Sequence, residues 1–154
     1  MDKLAKYVQS KKIYYHGRNE GKRPYKGTYI FITDSLEYAT IYSDEKQIYK
    51  YSIPFSMDKI FSIKKHTHRQ LLNKYVDDEV IKAIIRDSGA NQEIDWGALS
   101  YINSDDYDDA EELLQHLGFL GVKLKERQGI DSIYIFNQNN LKPEGFTTPN
   151  FAGI

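Results

Sequence analysis

The sequence predicts a single α+β domain, a mainly antiparallel sheet interrupted by a helical insert. Three observations carry this expectation. Strand-like runs occupy the first third of the chain and return near its end, while the stretch between them has helical periodicity. At 154 residues the chain can enclose one sizeable core and is short for two. No internal repeat or linker divides it, so the order strands, helices, strands points to an α+β domain over residues 1–154.

The elements follow in order. Leu4, Ala5, Tyr7 and Val8 predict a short, Lys-rich opening helix. Residues 12–16 read as a strand. Residues 19–26 form a polar loop with Gly21, Pro24 and the bases Lys22, Arg23 and Lys26. A second strand is expected over 27–33. Asp34 or Thr33 then caps a short helix reaching about Ser43, since either side chain can accept from the first free amides. Residues 47–55 and 60–63 are further strands, separated by the Ser56-Met57-Asp58 turn.

Leu72, Val76, Val80 and Ile84 recur every four residues, and Leu71, Tyr75, Ile81 and Ile85 widen the stripe. That spacing predicts one amphipathic helix over 67–87, stopped at Gly89. Residues 94–102 are expected to be helical, with Trp96 and Leu99 on one side. Ser104 or Asp105 begins a third helix whose acidic first turn suits the positive end of the dipole. Tyr107, Ala110, Leu114 and Leu117 should face inward, and Gly118 should end it. Strands at 121–126 and 130–136 are joined by Gln128-Gly129, a tight-turn signal. The insert therefore covers about residues 64–118, and the tail, 143–154, is expected to be loose.

Composition narrows the function. The net charge of −1 gives the whole molecule no electrostatic case for grasping nucleic acid or an anionic membrane, although a local patch leaves nucleic acid open. Without cysteine there is no disulfide, thiolate zinc site or cysteine nucleophile, which is compatible with a cytoplasmic setting. No apolar run approaches the roughly 20 residues a membrane helix needs. The 13 tyrosines suit a surface gripping a planar polar ligand, though β-propensity explains many of them. His66-Thr67-His68 lacks a third ligand and reads as surface, so no metal is expected. The acidic run Asp105, Asp106, Asp108, Asp109, Glu111 and Glu112 lacks the ligand order of a calcium loop. It reads as a solvated helix start or a docking face for a basic partner. No phosphate-cradling Gly loop and no Gly-x-Ser-x-Gly element is present.

The residues that carry chemistry begin with Tyr15-His16-Gly17 at the end of the first strand. A His there can bond a sugar hydroxyl, and a Gly lets a ligand approach the backbone. Downstream, Gly27, Tyr29, Phe31, Thr33 and Asp34 lead into a helix carrying Ala39 and Tyr42. Phe31 and Tyr42 so placed can sandwich a flat ring. In order and spacing these residues resemble the diphtheria-toxin-like branch of the ADP-ribosyltransferases, which uses a His–Tyr–Glu triad. The resemblance implies that family's fold, a split and mainly antiparallel sheet, and NAD as co-substrate. It implies that His16 binds the adenosine-side ribose, that the Gly17 backbone holds the nicotinamide amide, and that Tyr42 stacks on the nicotinamide ring. Phe31 stands where the family usually has Tyr. Stacking survives this change, and Tyr29 should leave the same strand face.

A second block, residues 117–142, is similar to the family's late strand with its acidic residue, and Glu126 fits that position. Asp131 is the rival carboxylate. Small phage anti-CRISPR ADP-ribosyltransferases share the outline. The chemistry suits the residue types. Cleaving the ribose–nicotinamide bond builds positive charge on the sugar, as in glycoside cleavage. A carboxylate at the ribose 2′-hydroxyl stabilises that charge. Arg18, Lys22 and Arg23 could meet the pyrophosphate. Arginine-modifying relatives carry Gln or Glu two residues before the catalytic Glu; here that residue is Leu124, which argues against arginine as acceptor. The expected activity is mono-ADP-ribosylation of a macromolecule, a protein first of all, by a toxin, effector or phage anti-defence protein in the cytoplasm. Two alternatives stand beside it: a non-catalytic binding module on the same fold, and an NAD glycohydrolase.

Overall fold

The computed structural model describes residues 12–17, 28–41, 43, 47–127 and 129–148. The expected opening helix, the basic loop, Arg18 and Tyr42 lie outside the described residues. The chain is an α+β protein with one seven-stranded mixed sheet. The strands are β1 (Tyr14–His16), β2 (Ile30–Thr33), β3 (Ile48–Ser52), β4 (Ile60–Phe61), β5 (Gly121–Leu124), β6 (Ser132–Ile135) and β7 (Lys142–Thr147). Their spatial order is β4-β5-β6-β2-β1-β3-β7, and only β4 and β5 run parallel. The helices are α1 (Leu36–Ile41), α2 (His66–Leu72), α3 (Asp78–Ser88) and α4 (Ala110–His116), with a 3-10 segment at Trp96–Tyr101. Among the described residues, no helix is long and apolar enough to cross a membrane.

The two-residue alternation of the strands gives the sheet two apolar faces. One presents Tyr14, Ile30, Ile32, Ile60, Ile133 and Ile135, closed by Tyr51 and Leu141. The other presents Val122, Leu124, Phe61 and Phe136 to the insert, where Leu72, Ile84, Ile94, Leu113, Leu114 and Phe119 complete a second core. Each fully buried Ile, Leu or Phe here contributes roughly 1.5–3 kcal/mol of transfer free energy.

Several expectations change against this frame. The single helix over 67–87 is two helices. Asn73 ends α2, and Asp77 opens α3 with Asp78 and Glu79 in its first turn. Three consecutive acids favour a fresh N-terminus at the positive end of a dipole, and the apolar stripe continues across the break because Leu72 and Val76 both stay buried. The helix expected over 94–102 is a 3-10 helix limited to Trp96–Tyr101, and its Trp96 side chain is exposed. The third helix begins later than expected, capped by Asp109 Oδ1 accepting from Glu112 N at 2.8 Å. Gly118, at φ 97°, follows its last turn as expected. The tail is not loose as far as residue 147: it forms β7 against β3, an edge position that tolerates Pro143. α1 is capped by neither Thr33 nor Asp34. Ser35 Oγ accepts from Tyr38 N at 3.0 Å, and Asp34 instead accepts from Asp131 N at 2.9 Å.

His68 is not a surface residue. It is 2% exposed, packed between Phe61 and Phe119. Its Nδ1 accepts from Ser62 N at 2.9 Å, so Nε2 carries the hydrogen donated to Asp58 Oδ1 at 3.0 Å. That hydrogen bond holds the Asp58 carboxyl below its usual range.

Glu93 supplies a pH test of the insert's seat on the sheet. Burial pushes its carboxyl above the ordinary value of 4.5, against the Ser62 hydroxyl shared between its two oxygens at 2.8 and 2.9 Å. The folded state therefore binds the proton more tightly than the unfolded one. This group's contribution to stability falls as pH rises from the ordinary value through the raised one. Glu93→Gln cannot ionise. Its Tm relative to wild type should improve between about pH 4 and about pH 7; a constant difference across that range refutes the burial argument.

Candidate functional site

The two blocks singled out in the sequence become neighbours in the sheet. β2 pairs with β6 along its whole length, Ile30 opposite Ile135 through Thr33 opposite Ser132. β1 lies on the other side of β2, with Tyr15 opposite Thr33. β5 flanks β6, with Leu124 opposite Ser132.

His16 closes β1 and is 6% exposed. Its Nδ1 lies 2.8 Å from the Phe31 carbonyl oxygen. A carbonyl can only accept, so Nδ1 carries the hydrogen, and Nε2 is the acceptor face of the neutral ring. Gly17 follows. A Cβ built there would sit 2.1 Å from the Ala39 carbonyl oxygen and 3.1 Å from Ser43 Cβ. The space freed by the missing side chain is thus filled by α1, which explains the glycine without a ligand. Thr33 is buried, and its Oγ1 accepts from Ser35 N at 3.4 Å.

Phe31 and Tyr29 do share a face, as the two-residue spacing predicts, and both are 40% exposed. Both rings reach Tyr134, with centroids at 4.9 and 5.6 Å. Phe31 also meets Trp96 from the insert edge-on at 5.3 Å. The described structure thus gives Phe31 two aromatic neighbours that the sequence reading did not assign. Tyr134 was findable, because Ser132, Tyr134 and Phe136 alternate onto one face. The contact from Trp96 had no local signal.

Glu126 lies two residues past the end of β5 and is half-buried. Its Oε1 accepts from the Tyr38 hydroxyl of α1 at 2.7 Å. The Arg127 guanidinium stands 5.7 Å from the centre of the same Tyr38 ring. The hairpin turn is tight as expected, with Ile130 N donating to Arg127 O at 3.0 Å and Gly129 at φ 83°. Leu124 is 8% exposed and belongs to the insert-side core, where it presents no polar group.

The rival Asp131 is tied into the sheet. Its Oδ2 accepts from Lys12 Nζ at 3.1 Å and from the Tyr14 hydroxyl at 3.2 Å. Burial, then the charge of Asp131, pushes the Tyr14 hydroxyl up to about 12. Asp34 lies 3.5 Å from the same Lys12 ammonium. These contacts pin β1 to β2 and β6 and give Asp131 a structural occupation. The Ser132 hydroxyl beside it is buried with no hydrogen-bond partner among the described residues, a feature the sequence did not flag.

His16 and Glu126 do not touch in register. Their strands are three spacings apart, β1-β2-β6-β5, which is roughly 14 Å across the sheet. No family model, curated protein or solved structure matches this chain.

Proposed function

We propose that the chain is an NAD-dependent mono-ADP-ribosyltransferase of the His–Tyr–Glu branch, with that family's fold, acting in the cytoplasm on a macromolecular target. A protein is the first candidate, with an acceptor other than arginine. The observation that carries the reading is the full-length pairing of β2 with β6. It brings the strand holding Tyr29, Phe31 and Thr33 beside the block that leads to Glu126, while His16, at the end of the neighbouring strand, stands opposite Ile32 on the other sheet face.

In this reading His16 bonds the adenosine-side ribose, and Phe31, with Tyr29 beside it, offers an exposed ring face to the nicotinamide. Following the family resemblance, Tyr42 stacks on the nicotinamide ring and Arg18 meets the pyrophosphate, both residues lying outside the described ones. Glu126, steadied by Tyr38, holds the nicotinamide-ribose 2′-hydroxyl and stabilises the positive charge that builds as the glycosidic bond breaks. Departing nicotinamide takes the bonding electron pair, and the acceptor nucleophile takes the ribose C1′.

The test is incubation of the full chain with NAD labelled on the adenylate and a bacterial lysate. The expected result is nicotinamide release with label fixed to a macromolecule. Free ADP-ribose alone would mark a glycohydrolase instead. No release and no NAD binding by calorimetry would leave a binding module on this scaffold.

A further inference from the structure

A cavity of about 460 Å³ opens between the Trp96–Tyr101 segment, the start of α4 and the insert-facing side of the sheet. Its floor is apolar, built from Leu99, Leu114, Val122 and Phe136. Its wall is aromatic: the Trp96 and Tyr134 rings, with centroids 5.3 Å apart and planes at 78°. Its rim carries three carboxylates, Asp108, Asp109 and Glu111, and no Lys, Arg or His lines it. Phe31 touches the same two rings without lining the cavity, so this space is distinct from the ring site proposed above.

We infer that this cavity binds an organic cation, a guanidinium or ammonium on an apolar stem, presented as an Arg or Lys side chain of a protein partner. Each part of the lining selects for that chemistry. The apolar floor takes the methylene stem, which such side chains bury readily. The indole and phenol rings attract a cation to their faces. The Tyr134 hydroxyl donates to Glu111 Oε1 at 2.7 Å, which orients the carboxylate and leaves its second oxygen to accept from the ligand. Asp108 and Asp109 are exposed on the rim, where their charge adds to the local field. An anion would meet three carboxylates and no cation. The volume falls within the range of roughly 300–1,000 Å³ usual for ligand pockets. With Leu124 unsuited to hold an acceptor guanidinium, the bound base is a recognition element rather than the modified residue.

The inference stands on the cavity alone and does not depend on NAD. Trp96 is the sole tryptophan of the chain, so its fluorescence reads the cavity wall directly. The full chain, without NAD, is titrated with N-acetyl-arginine amide and N-acetyl-lysine amide. N-acetyl-citrulline amide and N-acetyl-norleucine amide serve as neutral controls of similar shape. The expected result is a saturable change with the cations and binding about tenfold weaker for the neutral analogues. Glu111→Gln should weaken the cations several-fold. Asp108→Asn, on the exposed rim, should do so to a lesser degree with an unchanged circular dichroism spectrum. No saturable change, or equal binding of citrulline and arginine, overturns the inference. So does cation affinity that both substitutions leave untouched. Loss of cation binding beside intact NAD turnover sinks this inference and spares the transferase reading; the converse result does the opposite.

Discussion

Glu126→Gln is expected to lower nicotinamide release and transfer by about 10²–10³-fold, roughly 3–4 kcal/mol of transition-state stabilisation. The amide nearly matches the carboxylate in shape and can still accept from the Tyr38 hydroxyl. It lacks the charge that opposes the developing positive ribose. Because Glu126 is half-buried, lies beyond β5 and is anchored through one hydrogen bond to α1, the fold should lose less than about 1 kcal/mol. Tyr38→Phe removes the donor that steadies the carboxylate and should cost activity about tenfold through kcat, the size of one lost hydrogen bond. Asp131→Asn separates the two carboxylates. Its contacts with Lys12 and Tyr14 predict a lower Tm rather than a selective loss of turnover. An active Glu126→Gln beside a stable, inactive Asp131→Asn would transfer the catalytic role to Asp131.

Gly17→Ala should destabilise the protein by about 1–3 kcal/mol, the usual cost of forcing an extra carbon into a packed site. The added Cβ meets the Ala39 carbonyl, which is backbone and has no alternative rotamer to adopt. Either the end of β1 or the whole of α1 must shift. α1 has six residues and contacts β1, β2 and β3, so displacing it moves Tyr38 and loosens the hold on Glu126. The variant should therefore show a lower Tm in thermal unfolding and a lowered kcat together. An unchanged Tm would mean that α1 is not seated against Gly17 as described.

Local chemistry made much of the fold readable from the amino acids. Gly118 ends α4, and Gly129 supplies the positive φ of the hairpin turn, because each conformation has a short-range cost that glycine avoids. The two-residue spacing of Tyr29 and Phe31 assigned them one strand face before any pairing was known, and the same alternation in Ser132, Tyr134 and Phe136 was open to the same use. The break between α2 and α3 was less legible. A four-residue apolar recurrence continues across Asn73 to Asp77 and looks the same whether the backbone is one helix or two. β7 was hidden for a related reason: an edge strand with one side free carries a weak hydrophobic pattern, and its order comes from β3.

By itself, then, the sequence determined the α+β class, the glycines that end helices and turn the hairpin, the shared face of Tyr29 and Phe31, and His16 at the end of its strand. The tertiary structure alone decided that Tyr38 holds Glu126, 88 positions away in the chain, and that Asp131 is taken up by Lys12 and Tyr14. It alone decided that Ala39 fills the space beside Gly17, and that Trp96 closes over Phe31 and Tyr134 to wall a separate acidic cavity. The physical reason is one of range. Propensity, capping and periodicity act over one or two turns of chain. Contacts between distant segments are selected by the burial and hydrogen bonding of the assembled whole.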